Sequence, residues 1–122
     1  MSDRRSVGRL GEDLAAEYLT RKGLKLIDRN VRTPFGEIDL ICRDRRTLVF
    51  VEVKARRSMA FGRPDEAVGS DKQRRLSRSA LAYLASKAWE DRPARFDVLS
   101  IILDGPEPEI VHLADAFDLA AK

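Results

Sequence analysis

"GEIDLICRDRRTLVFVEVKAR", residues 36–56, contains two β-rich runs, "EIDLICR" and "TLVFVEVKA", separated only by Asp44, Arg45 and Arg46. A short polar break between alternating runs is a β-hairpin signal. Side chains alternate along a strand, so Phe50, Glu52 and Lys54 share one face and Val49, Val51 and Val53 the other. On the preceding run Glu37, Asp39 and Ile41 fall together, opposite Ile38, Leu40 and Cys42. Pairing Arg43 with Leu48 sets Asp39 directly across from Glu52. A slip of one residue would instead bury the charges against the valines.

Two carboxylates on directly opposed positions, roughly 5 Å apart, repel by about 3 kcal/mol at an effective dielectric of about 20. Lys54 offsets part of that, and a divalent cation between the carboxylates would offset more. Mg²⁺ suits the site because it takes oxygen ligands, needs only one or two carboxylates, and leaves its other positions to water and phosphate. With Lys54 to orient or deprotonate the attacking water, these are the parts phosphodiester hydrolysis requires. The competing reading is a surface ladder of charges on an exposed sheet face. Against it, Asp39 lies within "IDLI" and Glu52 within "VFVEV", both too apolar for an edge, and a basic loop and helix follow at once.

The rest of the composition narrows the chemistry. With 122 residues, 43% hydrophobic and 35% charged, the chain reads as one soluble domain. No apolar run approaches the roughly 20 residues of a membrane span, and "MSDRRSVGRLGEDLA" lacks a signal-peptide core, so a cytoplasmic location is expected. Cys42 and His112 are the only residues of their kinds, which excludes an internal disulfide and Cys/His zinc sites. The net charge of +3 is unevenly spread: residues 43–78 carry eleven basic and five acidic groups, residues 79–122 four and eight. A polyanion beside the middle third accounts for this, as does a solvated face.

Apolar residues at Val7, Leu10, Leu14, Ala15, Tyr18 and Leu19 predict an amphipathic helix to about Lys22, closed by Gly23. "LKLIDRNVR" reads as a strand and "TPFG" as a turn before the hairpin. "RRSMAFGRPDEAVG" is a long loop with a turn of helix begun at Pro64. A second helix starts at Ser70, with Gln73 completing a capping box, and Leu76, Ala80, Leu81, Tyr83, Leu84 and Ala88 form its apolar side. "RFDVLSIIL" is a buried strand, parallel to the previous one across a right-handed crossover. "EIVHL" is a short last strand and "ADAFDLAAK" a terminal turn or helix. The order is α-β-β-β-α-β-β.

"GEIDLI" followed by "VEVK" resembles the PD-(D/E)xK motif of the restriction-endonuclease-like superfamily, on Asp39, Glu52 and Lys54, with Ile38 in place of the motif's proline. Taken in order, "GRLGEDLAAEYL", "GEIDLI", "VFVEVKAR" and "FDVLSI" look like the bacterial YraN family of predicted endonucleases, similar to archaeal Holliday junction resolvases. The resemblance spans about residues 8–103. It implies an α/β domain over residues 1–122 (core about 8–114) with a mixed β-sheet flanked by helices. It further implies Mg²⁺- or Mn²⁺-dependent cleavage of DNA, and a homodimer acting on branched junctions. It carries Glu12 onto the acidic residue that joins Asp39 and Glu52 at the metal. Read from the residues alone, Glu12 could equally be a solvated helix carboxylate.

For phosphate contact the candidates are Lys72, Arg74, Arg75 and Arg78 at the start of the second helix, then Arg56, Arg57 and Arg63 in the loop. Phe61 could stack on a base, although an aromatic anchoring a loop is commoner. Glu37 and Gln73 are candidate neighbours of the site. Asp97 is expected to pair with backbone or an arginine, and Cys42, His112 and Trp89 to pack. Two other functions compete: a DNA- or RNA-binding module that keeps the fold without cutting, and a protein-interaction module with decorative charges.

Overall fold

The computed structural model describes residues 4–57 and 69–118. The long loop lies almost wholly outside them, and with it the expected helical turn at Pro64, Phe61 and Arg63. The elements run α1 (Arg4–Arg21), β1 (Lys25–Thr33), β2 (Gly36–Asp44), β3 (Thr47–Arg56), α2 (Ser70–Lys87), β4 (Ala94–Ile102) and β5 (Glu109–Phe117). This is the order expected from the sequence. The five strands form one mixed sheet in sequence order, antiparallel except where the α2 crossover makes β3 and β4 parallel.

The two helices cover opposite faces of the sheet. Ala15 and Leu19 of α1 pack with Leu40, Cys42, Val49, Val51, Leu99 and Ile101. Leu76, Ala80, Tyr83 and Leu84 of α2 pack with Leu48, Phe50, Phe96 and Val98. Alternation along β3 is therefore as read from the sequence, with Phe50 on the α2 side and the valines on the α1 side. Cys42 is buried, and burial followed by the nearby Asp97 charge pushes its thiol up to about 11, so it packs as an inert apolar group.

Within the hairpin, alternation breaks at the start of β2. Ile38 joins the α2-side cluster together with Ile41, while Leu40 lies on the α1 side. The expectation that Ile38 and Leu40 share a face is thus corrected. The break falls where Asp39 stands opposite Asn30 of β1, whose φ of 49° takes the strand out of regular geometry.

Gly11 sets how closely α1 approaches β3. A Cβ there would overlap that of Ala55. Since Ala55 sits on a strand and cannot swing away, Gly11→Ala is expected to destabilise the fold by about 1–3 kcal/mol. Chemical denaturation should show a lower midpoint at unchanged slope.

Three local readings are also corrected. Gly69, not Ser70, is the α2 N-cap, and no side chain caps the helix; Gln73 donates its backbone N–H to Gly69 O at 2.9 Å, so there is no Ser70/Gln73 capping box. Ala88 is the exposed C-cap in left-handed conformation rather than part of the apolar side. The last strand continues through "ADAF", with a bulge at Asp115, whose φ is 54°, where a turn or helix was expected. That bulge aims the Asp115 N–H at Asp97 Oδ1, 2.9 Å away. Among the described residues no helix is long and apolar enough to cross a membrane.

Candidate active site

The β2–β3 hairpin turns through Arg45 and Arg46, with Arg45 at a φ of 58°. From Asp44↔Thr47 the pairing runs through Arg43↔Leu48 to Leu40↔Val51, the register expected from the sequence. Past that point the ladder stops, and the Asp39 side chain takes the place of a backbone acceptor. Its Oδ2 receives the Val53 N–H at 2.8 Å, which fixes the carboxylate beside the residue that follows Glu52.

Glu52 is 9% exposed, and its Oε2 forms an ion pair with Lys72 of the first turn of α2. Asp39 lies among other carboxylates. Burial, then the Glu52 carboxylate, raise it from an ordinary 3.8 to about 7; Glu12 and Glu37 push the same way, and the Val53 N–H opposes them. Excess negative charge is therefore focused on Asp39.

Glu12 reaches this neighbourhood because Gly11 lets α1 lie against β3. Its carboxylate is held by Asn30 Nδ2 at 3.1 Å and lies 3.9 Å from Arg29 Nη2. Among the described residues no three His, Cys, Asp or Glu side chains are gathered as a metal-holding group. The expected set is thus two carboxylates at neighbouring positions and a third tethered to β1. Lys54 is half-buried on the Glu52 side of β3, in register with Ser100 of β4.

A sequence profile described as "Uncharacterised protein family UPF0102" matches residues 11–101, a span that contains every one of these groups. The chain belongs to the UPF0102 family. It is 50% identical over 116 residues to a UPF0102 protein of Syntrophotalea carbinolica, covering 95% of this chain and 94% of that one. It is 47% identical over 118 residues to one of Rhodococcus opacus, covering 96% of this chain and 100% of the relative.

The other candidates in this UPF0102 chain are spread around the pair. Glu37 is exposed, 3.6 Å from Arg32 Nε, and acts on Asp39 through its charge. Arg74 reaches Asp71 at 3.7 Å, while Arg75 and Arg78 are exposed on α2. Arg57 is exposed at the end of β3, and half-buried Arg56 has its Nη1 without a hydrogen-bond partner among the described residues. Gln73 is half-buried near the start of α2.

Sequence reasoning missed Asn30 and Arg29, which hold Glu12; a positive φ at an asparagine inside a strand leaves no periodic signal. It also read His112 as packing alone. His112 Nε2 lies 2.8 Å from Asp97 Oδ2, and since an ionised carboxylate only accepts, the imidazole donates from Nε2. Asp97 does pair with an arginine and a backbone N–H, as expected.

Proposed function

We propose that this UPF0102 chain is a metal-dependent endonuclease that hydrolyses phosphodiester bonds in structured or branched DNA. The single observation that carries the reading is the placement of Asp39 against the Glu52–Val53 backbone, with the Glu52, Glu12 and Glu37 carboxylates all raising its carboxyl. The donor set fits a hard divalent ion: oxygen ligands only, two carboxylates, surplus negative charge. Asp39 and Glu52 would hold Mg²⁺ or Mn²⁺, with Glu12 as the third acidic group. The ion would supply Lewis-acid polarisation of the scissile phosphate. Lys54 would orient the attacking water and counter charge developing on a phosphate oxygen. Lys72 and Arg75, with Arg74, Arg78, Arg56 and Arg57 around them, would hold the flanking backbone. A cytoplasmic location and a two-fold homodimer, matching the symmetry of a four-way junction, belong to the same proposal.

A second reading, a DNA- or RNA-binding module that does not cut, is favoured by the Lys72–Glu52 ion pair, which neutralises one carboxylate without any metal. Incubation with four-way junction, flap, single-stranded and duplex DNA in Mg²⁺ or Mn²⁺ separates the two. The nuclease reading expects cleavage of branched DNA that falls by about 100-fold or more in Lys54→Met, with DNA affinity changed only a few-fold. Binding without cleavage in either metal would establish the second reading, and cleavage undiminished in Lys54→Met would remove Lys54 from the mechanism.

A further inference from the structure

The β1–β2 turn, beside the carboxylate pair, presents an aromatic ring to solvent. Phe35 is 44% exposed, one of two large hydrophobic side chains in that condition among the described residues. It lines a cleft of about 170 Å³ with Gly36, Glu37, Lys72, Arg75 and Ser79. That volume is well below the roughly 300 Å³ at which drug-sized ligand sites begin, and admits about one ring system.

The ring is held in place by the turn. The Thr33 hydroxyl accepts the Phe35 N–H at 3.1 Å, reaches Gly36 O at 2.9 Å and meets Ser79 Oγ of α2 at 2.9 Å. Gly36 has a φ of 145°, a conformation that side chains rarely adopt. The turn is thus tied to α2 by the Thr33–Ser79 hydrogen bond, with the Phe35 ring left outward.

We propose that Phe35, Arg75 and Lys72 form a subsite for one unpaired nucleotide, the ring stacking on its base and the two cations holding its phosphate. The charges select this occupant over an apolar one. Arg75 and Lys72 on one wall suit a phosphate, while Glu37 on the other repels phosphate and accepts N–H groups from a base edge. A base inside a duplex has both faces covered, so the ring takes one that is unstacked, at a branch, flap or single-stranded end. Glu37 precedes Asp39 by two strand residues, roughly 7 Å, so a nucleotide seated here lies next to the proposed cleavage centre. Lys72 joins the two, because it lines the cleft and pairs with Glu52.

The inference rests on the nucleic-acid reading above, and its test can fail separately. Binding would be measured in EDTA, so that no cleavage is required, using a hairpin duplex with a single-stranded overhang and the same hairpin with a blunt end. A 2-aminopurine in the overhang reports stacking directly. Phe35→Ala is expected to weaken overhang binding about 10-fold and to abolish the fluorescence quenching, with blunt-end binding unchanged. Phe35→Trp should restore both. If Phe35→Ala binds and quenches as the wild type does, the subsite is overturned while the nuclease reading stands. If the wild type binds neither DNA, both fall.

Discussion

Asp39→Asn is expected to lose about 1000-fold or more of the proposed cleavage activity and yet to melt at a higher temperature than the wild type at pH 8. The first half follows from removing one of two carboxylates that would hold the cation. The second follows from linkage. Asp39 sits at about 7 in the folded chain against an ordinary 3.8, so between those values the folded state binds more protons than the unfolded one. Stability from this group is fully present below about pH 4, declines as pH rises, and is gone above about pH 7. The difference is on the order of 3 kcal/mol, allowing for the partial solvent access of a half-buried group. Asparagine keeps an oxygen for the Val53 N–H and removes the charge. The gain, roughly 10 °C in melting temperature at pH 8, should fall by about half at pH 5 and vanish below about pH 4. Thermal melts of both proteins across that range check it.

Asp97→Ala is expected to cost about 3–5 kcal/mol, or about 10–20 °C, with the fold otherwise retained. Asp97 is wholly buried at the junction of β4 and β5. Arg95 donates to it through Nε at 3.0 Å and Nη2 at 3.3 Å, His112 through Nε2, and the Asp115 N–H completes the set. Burial alone pushes its carboxyl up, but Arg95, then the Asp115 N–H and His112, outweigh it and hold it below its ordinary value. Removing the acceptor strands a guanidinium, an imidazole and a backbone N–H. Among the described residues, Asp44 at 3.2 Å is the partner Arg95 keeps. The sign is opposite to that of Asp39: the stability Asp97 contributes is present above the unfolded carboxylate range and is lost as pH falls through its folded value. Together the two carboxylates place the maximum of their joint contribution near pH 4, around the unfolded carboxylate value, and the pH profile of Asp97→Ala should lack this part of the acid-side decline.

The hairpin register was legible in the sequence because the break at Arg45 and Arg46 is short and a one-residue slip would have buried Glu52 and Lys54 against valines. The mixed sheet was legible because α2 separates two strands that must then run parallel. Ile38 was misplaced because alternation assumes a continuous ladder, and here the Asp39 carboxylate replaces a ladder acceptor. The end of β5 was misread for a related reason: "ADAF" has helix-forming composition, and long-range contacts, the Asp115 N–H on Asp97 and Phe117 stacked on Phe96, keep its bulged strand in the sheet. Phe35 gave no signal beyond a turn, since its exposure depends on Thr33 and Ser79, 46 residues apart, meeting in space.

In the proposed mechanism Asp39 and Glu52 would act together on one divalent cation. Titration of the metal-free chain with Mn²⁺, followed by electron paramagnetic resonance, tests it without requiring any substrate. One saturable site per chain is expected in the wild type, lost in both Asp39→Asn and Glu52→Gln and retained in Phe35→Ala. A wild type without a saturable site, or a site that survives Asp39→Asn, would contradict it.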